Sequence, residues 1–337
     1  MNLIINKSTV KSVVRIMYWM LPGLLILLIV HRINLDELRQ NLKLINVSFM
    51  VFTVMLYPVS ILLGALRWHR LLNRFTQMHI SLRFTLVQHW IGYAMGLFTP
   101  GNSGWDAYRI VRGGQAVQAY RSGFLIIVLE RLTSLICAMI ILLVGAFFID
   151  GNIHERIPLI ISFSGLLLLL SLIGLGLLYW ENGRMMQAGI EWIRKVFRRP
   201  AQESPPINFV SLRKAMPKKE LIILFGFSFA IQFFFVLINF LLFYAIRNPI
   251  AFSVVAFSIP ASLLVTMVPV SFGSVGIREF TYITLFGFWG VAPEKAVLVA
   301  FFNLLGLLIN GLTGAALFVT HFRRYSHGFS GRLREHP

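Results

Sequence analysis

Residues 100–109 read PGNSGWDAYR, and residues 269–279 read PVSFGSVGIRE. Each stretch starts with a proline after an apolar run, continues through a bend rich in serine and glycine, and contains an acidic residue and an arginine. Charges and interrupted helices are costly in a lipid bilayer, so they usually mark a polar site or a pathway. Two such interruptions at corresponding places in one chain favour a transporter-like centre.

The composition is that of a membrane protein. Hydrophobic residues make up 57% of the 337 residues, and only 13% are charged, whereas a soluble domain carries roughly 25% charged residues. The formal net charge of +18 does not indicate nucleic-acid binding, because the basic residues punctuate hydrophobic segments instead of forming a separate basic domain. Cys137 is the only cysteine, which excludes a disulfide framework and a cysteine-based metal site. The chain is therefore expected to be an all-α polytopic membrane protein.

Apolar stretches of about 20 residues, the length needed to cross a bilayer, predict about six full spans. The basic, apolar N-terminus resembles a signal peptide, but no small-residue cleavage site follows Val30, so a retained first span is expected. Two shorter apolar stretches end in the proline, serine and glycine bends, and they are predicted to be re-entrant or discontinuous helices, each paired with a second limb. The predicted full spans are 13–31, 46–66, 123–149, 157–180, 220–246 and 296–320, and the shorter stretches are 84–99 and 250–268.

The distribution of lysine and arginine predicts the topology. Most of these residues lie in alternate connecting segments, which places both termini in the cytoplasm. Segments rich and poor in lysine and arginine then alternate across the membrane only under two conditions. Residues 84–121 must enter and leave the membrane on the cytoplasmic side, and residues 250–290 must enter and leave it on the outer side. This favours an inverted-topology repeat, with a coincidental likeness of two glycine-rich segments as the alternative. The predicted organisation is a single transmembrane domain over 1–322, with a basic cytoplasmic loop at 181–219, and a short basic cytoplasmic tail at 323–337.

Arg109 and Arg278 are the strongest candidates for contacting a substrate. A guanidinium offers planar, bidentate hydrogen bonding to phosphate. Each arginine follows a bend, so the N–H groups of a helix N-terminus are expected to point at the same anion. Asp106 and Glu279 are predicted either to neutralise these arginines or to bind a coupling proton. The alternative is that each acid and arginine form a structural pair.

Further candidates lie near these arginines. Glu130 and Arg131 lie inside the span 123–149, where a charged pair is expected to face a polar interior, and they either extend the site or balance its charge. Ser103 and Ser271 lie in the two bends, and Tyr108 precedes the first arginine, so all three join the predicted substrate-binding set.

Three amides are further candidates for cavity or packing residues. Gln88 is a candidate cavity residue. Asn303 and Asn310 are seven residues apart and share one helix face, so they either line the cavity or hydrogen-bond another helix, and packing is favoured.

Signatures of catalysis are absent from the sequence. It has no H-E-x-x-H, G-x-S-x-G or P-loop motif, so no enzyme activity, cofactor or ATP hydrolysis is expected. Asp106 with Glu130 could form an acid–base pair, but sequence does not set their separation.

Residues 100–109, the Glu130-Arg131 pair and residues 269–279 resemble the lysylphosphatidylglycerol synthase transmembrane-region family of flippase-like integral membrane proteins. The resemblance extends from about residue 15 to residue 322. It implies a membrane domain that moves lipids, such as aminoacylated phospholipids, between leaflets of a bacterial cytoplasmic (inner) membrane. Some relatives are associated with polyprenyl-linked glycans or other cell-envelope pathways. The soluble aminoacyl-transferase domain of the family is expected to be missing, because only 17 residues follow the last predicted span.

Three functions remain open at this point. The first is translocation of a phospholipid or a lipid-linked polyprenyl-phosphate or glycan intermediate through a central polar cavity. The second is a membrane enzyme or enzyme subunit that modifies such a lipid, with Asp106 as the first catalytic candidate. The third is secondary transport of a small solute. An anionic lipid is the expected ligand, and a second copy of the chain or an envelope-biosynthesis protein is the expected kind of protein partner.

Overall fold

The computed structural model describes residues 23–76, 79–99, 101–118, 120–149, 158–180, 217–266 and 274–332, and these residues form helices and short connections without a strand. The polytopic all-α fold is confirmed. The described part of helix α1 covers Gly23–Arg32. The helices that follow are α2 Leu35–Lys43, α3 Val47–Val54, α4 Tyr57–Thr76, α5 Leu82–Leu97, α6 Ser103–Ala116, α7 Tyr120–Phe147, α8 Pro158–Trp180, α9 Lys218–Ala245, α10 Phe252–Thr266, α11 Ile277–Gly287 and α12 Pro293–Arg332.

Within the described residues, five helical segments are long and apolar enough to cross a bilayer: Val47–Phe75, Ser122–Phe147, Pro158–Gly176, Lys218–Ala245 and Pro293–Thr320. In α8 only 11% of the most apolar window is buried by the protein, so most of its leucine surface needs an apolar solvent. Five of the six predicted spans are therefore present. Most of the sixth, predicted at 13–31, lies outside the described residues.

Two pairs of short helices occur where interrupted helices were predicted. Helices α5 and α6 flank the first bend, and α10 and α11 flank the second. The longest of the four has 16 residues and so extends about 24 Å, less than the hydrocarbon thickness of about 30 Å. The interruptions in the sequence therefore correspond to real helix ends. The inverted repeat and the orientation of the termini stay predictions.

The first bend is held by close packing of α6 against the end of α5. Gly101 and Asn102 have positive φ angles of 55° and 58°, which reverse the chain direction between the helices. The hydroxyl of Thr99 accepts a hydrogen bond from the N–H of Gly104 at 2.7 Å. A Cβ atom at Gly104 would lie 2.6 Å from the carbonyl oxygen of Met95, so only glycine fits there.

Backbone contacts divide the chain into two compact units. The central unit comprises Val59–His89 and Ala107–Phe234, and the terminal unit comprises Met1–Pro58, Trp90–Asp106 and Phe235–Pro337. The interior of the central unit is aliphatic around Trp68, and α8 packs against α7. In the terminal unit α11 packs against both α10 and α12, and the rings of Phe243 and Phe286 lie 4.7 Å apart. The single domain over 1–322 stays a prediction.

The boundaries of one predicted span need correction. The span predicted to end at residue 66 continues as α4 to Thr76, because Arg67 finds buried partners and does not need to leave the apolar region. It also begins as a separate short helix, α3, because Pro58 has no N–H to donate to the carbonyl of Val54. Helix α12 extends to Arg332, and the basic cytoplasmic tail at 323–337 stays a prediction. Of the predicted loop 181–219, residues 181–216 lie outside the described residues.

Candidate functional site

Two arginines share one carboxylate inside the central unit. Arg109 donates from Nη1 to Oε2 of Glu130 at 2.6 Å, and Nε of Arg67 lies 3.4 Å from Oε1 of the same carboxylate. The exposed fractions of the three residues are 3%, 1% and 8% for Arg109, Glu130 and Arg67. We name Arg67, Arg109 and Glu130 the charged cluster. It carries two positive charges and one negative charge in an apolar interior.

Hydroxyl groups on α7 and α9 surround the charged cluster. Nη1 of Arg67 donates to Ser134 at 2.7 Å and to Ser228 at 3.0 Å. The hydroxyl of Ser228 donates to that of Thr133 at 3.0 Å. The charged cluster and its hydroxyls thus draw on α4, α6, α7 and α9. Polar side chains that bond across helices stabilise packing where lipid cannot compete for hydrogen bonds.

Aromatic rings form one wall of the charged cluster. The guanidinium carbon of Arg109 lies 5.9 Å from the centroid of the Trp68 ring, a distance suited to a cation–π contact. The ring of Trp68 lies 6.1 Å from that of His89, and both residues are buried. A Cβ atom at Gly64 would lie 2.7 Å from Nε2 of His89, so this glycine makes room for the imidazole.

Two of the candidate residues, Tyr108 and Gln88, are hydrogen-bonded to each other in the central unit, and their role in a cavity stays a prediction. Oε1 of Gln88 accepts hydrogen bonds from the Tyr108 hydroxyl at 2.6 Å and from Nε of Arg112 at 3.0 Å. Tyr108 is half-buried, and so is Arg131, the neighbour of Glu130 on α7. Helix α6 therefore presents a second arginine, Arg112, that sequence reasoning did not single out.

In the terminal unit, Arg278 lies in the first turn of α11 and is buried. Its neighbour Glu279 accepts a hydrogen bond from the N–H of Gly276 at 2.6 Å. Gly276 adopts a φ of +85°, which explains why glycine precedes this helix. Glu279 thus satisfies one of the free N–H groups at the start of α11. Arg278 and Arg109 belong to different compact units.

A chain of neutral polar side chains crosses the interior of the terminal unit. The hydroxyl of Tyr57 donates to Oδ1 of Asn303, whose Nδ2 donates to Oδ1 of Asn239 at 2.7 Å. The hydroxyl of Tyr282 also donates to Oδ1 of Asn239, at 3.0 Å. We name these four residues the neutral chain. Asn303 is therefore a packing residue, as favoured, and Asn310 donates to the carbonyl of Gly306 on its own helix.

The remaining predicted residues occupy the start of α6 or lie outside the described residues. Ser103 is the first residue of α6 and is exposed, and Asp106 is half-buried in its first turn. An acid there interacts favourably with the helix dipole. Ser271 lies outside the described residues.

Arg67 is the functional candidate that sequence reasoning missed. The predicted span ends at residue 66, before Arg67, because the apolar run ends at Leu66 and four polar or aromatic residues follow that run. A usable signal was present: Arg67, Arg70 and Arg74 recur at helical spacing, which continues the helix and places the three on one face. The hydroxyl partners of Arg67 gave no comparable signal, since isolated serine and threonine are common in membrane helices.

Comparison with known proteins identifies the family. The chain matches the family described as Lysylphosphatidylglycerol synthase TM region over residues 12–314. It is also similar to the UPF0104 membrane protein PH1989 of Pyrococcus horikoshii, with 22% identity over 313 residues that cover 87% of this chain and 93% of that protein. No solved structure matches the chain. Because the family match includes both interrupted segments and the charged cluster, the chain belongs to the lysylphosphatidylglycerol synthase transmembrane-region family, as predicted.

Proposed function

We propose that this protein translocates a phospholipid or a lipid-linked polyprenyl-phosphate or glycan intermediate across the cytoplasmic membrane. Membership of a family named for a lipid synthase's membrane region supports a role that involves membrane lipid. The observation that carries the proposal is the charged cluster, in which two buried guanidiniums share a single carboxylate. Translocation needs a protein because moving a polar headgroup through hydrocarbon is the costly step.

The two guanidiniums of the charged cluster favour an anionic ligand. Arg67 and Arg109 place their N–H donors around one carboxylate, and this concentration of donors suits an anion. Guanidinium groups bind phosphate oxygens in a bidentate manner, and the low-dielectric interior strengthens such contacts. In this proposal Glu130 holds Arg67 and Arg109 in place when no lipid is bound, and the lipid phosphate competes with it for their N–H groups.

Arg278 supplies a separate cation in the terminal unit. It lies in the first turn of a half-helix, where helix N–H groups and the helix dipole also favour an anion. Glu279 occupies one of those N–H groups, so protonation of this carboxyl would release a donor for phosphate. The proposal therefore gives Glu279 the role of a coupling proton acceptor, with Asp106 as the corresponding acid at the start of α6. It needs no cofactor and no catalytic step.

A lipid-flipping assay tests the proposal. The purified protein would be reconstituted into liposomes with NBD-labelled phosphatidylglycerol, and the fraction accessible to dithionite would be followed with time. Arg109→Gln and Arg67→Gln are each expected to slow flipping by about tenfold or more, because each removes a charge-assisted hydrogen bond worth roughly 1.5–3 kcal/mol. Arg83→Gln is the matched control, because it removes the same charge from an exposed residue of α5.

Three results would overturn the proposal. Wild-type protein that leaves the labelled lipid in its original leaflet excludes translocation of that lipid class. Uptake of a water-soluble anion with no lipid movement would favour small-solute transport. Conversion of the lipid by purified protein given an activated donor would favour a membrane enzyme.

The proposed orientation, with both termini in the cytoplasm, has its own test. The single cysteine, Cys137, allows a Cys137→Ser background in which one new cysteine reports its side of the membrane. Lys43→Cys, at the end of α2, is expected to react with an impermeant maleimide in intact cells. Lys218→Cys, at the start of α9, is expected to react only after permeabilisation, and the reverse pattern would invert the proposed topology.

A further inference from the structure

The C-terminal half of α4 carries a row of arginines that extends from the charged cluster to the end of the helix. Arg67, Arg70 and Arg74 follow one another at intervals of three and four residues, so they share one helix face. Arg67 is buried, whereas the side chains of Arg70 and Arg74 are 41% and 56% exposed. A crevice of about 10 Å³, the size of one water molecule, is lined by all three arginines.

Glu220 organises the two outer arginines. Arg70 donates from Nε and Nη2 to its two carboxylate oxygens at 2.7 and 3.0 Å, and Nη2 of Arg74 lies 2.7 Å from Oε1. Glu220 is buried and lies in the first turn of α9, where a carboxylate is favoured by the helix dipole. Two positive charges again meet one negative charge. Of the ten N–H donors that two guanidiniums carry, these contacts with Glu220 use three.

An open pocket of about 450 Å³ lies against these arginines. Its volume is within the range of about 300–1,000 Å³ typical of small-ligand sites. Oδ1 of Asn73 accepts a hydrogen bond from the backbone N–H of Ile80 at 2.7 Å, and Nδ2 of Asn73 donates to the carbonyl of Ile80 at 3.1 Å, so Ile80 is held close to α4. The pocket is lined by Leu66, His69, Arg70, Asn73, Arg74, His79 and Phe227.

The pocket combines a cationic wall with an apolar one. Leu66 and Phe227 line it beside the arginines, and Ile222 and Phe229 on α9 are 71% and 45% exposed. In a helix of membrane-span composition, such exposed side chains are lipid-facing. A lipid could therefore place its phosphate among the arginines while its chains remain in the bilayer. A free phosphate would use only the cationic wall.

We infer that the pocket bounded by Arg70, Arg74 and Phe227 is a binding site for the phosphate of a lipid headgroup. It receives the lipid at the end of α4, outside the charged cluster. Arg70 and Arg74 bind the phosphate, His79 and Asn73 are placed to contact the rest of the headgroup, and Glu220 is a positioning residue that holds the two guanidiniums. The binding site stands on this geometry alone, and only its role as a receiving site rests on the proposed translocation.

Native mass spectrometry of the full-length protein in detergent tests the site. Retention of added dioleoylphosphatidic acid would be compared with retention of dioleoylglycerol, which has the same chains and no phosphate. Wild type is expected to retain phosphatidic acid selectively. Arg70→Gln/Arg74→Gln is expected to lower its apparent affinity by about tenfold, from the loss of charge-assisted hydrogen bonds. Lys218→Gln/Lys219→Gln is the matched control, since it removes two exposed charges that do not line the pocket, and a change below about twofold is expected.

Equal loss in both double variants would overturn the site, because binding would then depend on overall charge alone. Unchanged retention in Arg70→Gln/Arg74→Gln would also overturn it. If that double variant does not fold, Arg74→Gln alone is used, since Arg74 is exposed and makes one ion pair to Glu220, and a loss of about threefold is expected. Glu220→Gln, which weakens the contacts that hold the two guanidiniums in place, is expected to weaken retention, whereas a purely structural ion pair would give a lower unfolding temperature and unchanged retention.

Inorganic phosphate separates the two sources of the ligand. Partial displacement of phosphatidic acid by millimolar phosphate, at constant ionic strength, supports recognition of the phosphate group. Binding of inorganic phosphate without binding of phosphatidic acid overturns a lipid ligand. A variant that loses phosphatidic acid but flips lipid at the wild-type rate overturns the receiving role and leaves translocation intact. Wild-type protein that binds phosphatidic acid and flips nothing overturns translocation and leaves the binding site intact.

Discussion

The charged cluster of the central unit and the neutral chain of the terminal unit join helices by different chemistry. In the first, Glu130 is shared by Arg67 and Arg109. In the second, the amides and phenols of the neutral chain pass hydrogen bonds from one helix to the next without any charge. Both are buried among apolar helices.

Buried ion pairs and buried neutral hydrogen bonds differ in what they contribute to a membrane protein. Neutral hydrogen bonds between membrane helices are each worth roughly 0.6 kcal/mol and suit permanent packing. A buried ion pair is a poor source of stability, because desolvation offsets most of its attraction, although removing one partner is costly. This contrast is what the proposed function requires, in which the ions of the charged cluster exchange partners while the neutral chain is a fixed helix contact.

The largest expected effect is that of Glu130→Gln. It keeps the shape of the side chain but removes the buried carboxylate charge that Arg67 and Arg109 share, so the free energy of unfolding should fall by about 3–5 kcal/mol. The change in the free energy of unfolding is measured by equilibrium unfolding in mixed micelles. Glu294→Gln is the control, because this buried carboxyl accepts the backbone N–H of Asn34 at 2.8 Å and glutamine still accepts it, so about 1 kcal/mol or less is expected. Equal effects would remove the distinction between the two regions.

Gly306→Ala tests how closely the neutral chain is packed. A Cβ atom at Gly306 would lie 2.6 Å from the ring of Tyr57, and so would push its hydroxyl away from Asn303. A loss of about 1–3 kcal/mol is expected from overpacking. Gly226→Ala on α9 meets nothing within 4 Å and should be neutral or stabilising by up to about 1 kcal/mol. The same unfolding measurement applies, and an unaffected Gly306→Ala would mean that the Tyr57 contact contributes little.

The smallest expected effect is the coupling between the two amides at the centre of the neutral chain. Asn239→Leu and Asn303→Leu, singly and combined, form a double-mutant cycle for the 2.7 Å bond between them. A coupling free energy of about 0.6 kcal/mol, and no more than about 1.7 kcal/mol, is expected from unfolding midpoints of the four proteins. A coupling above 3 kcal/mol would place the neutral chain in the energetic class of the charged cluster.

Sequence patterns located the interruptions of both short helix pairs. Proline and glycine act locally, through a missing N–H and an accessible positive φ, so residues 100–109 and 269–279 marked helix ends reliably. Boundaries were less accurate where a charge interrupts an apolar run. The predicted span stops before Arg67 because hydropathy treats every charged residue as exposed to water. In the structure, the partners of Arg67 come from α7 and α9.

The candidate site was predicted in part. Arg109, Glu130, Tyr108 and Gln88 were singled out, and the structure pairs Arg109 with Glu130 and Tyr108 with Gln88. The pocket formed with Glu220 had no counterpart in the sequence, because Glu220 is separated from Arg70 by 150 residues. Its partners depend on how α9 packs within the central unit.

The sequence by itself determined that this chain is a polytopic membrane protein of the lysylphosphatidylglycerol synthase transmembrane-region family with two interrupted helices. Those properties follow from composition and from local rules that act over a few residues. Only the tertiary structure decided which charges share a partner, with Arg67 and Arg109 on Glu130 and Arg70 and Arg74 on Glu220. The physical reason is that hydropathy and helix breaking are properties of a local window, whereas the balance of buried charge depends on contacts between residues distant in the chain.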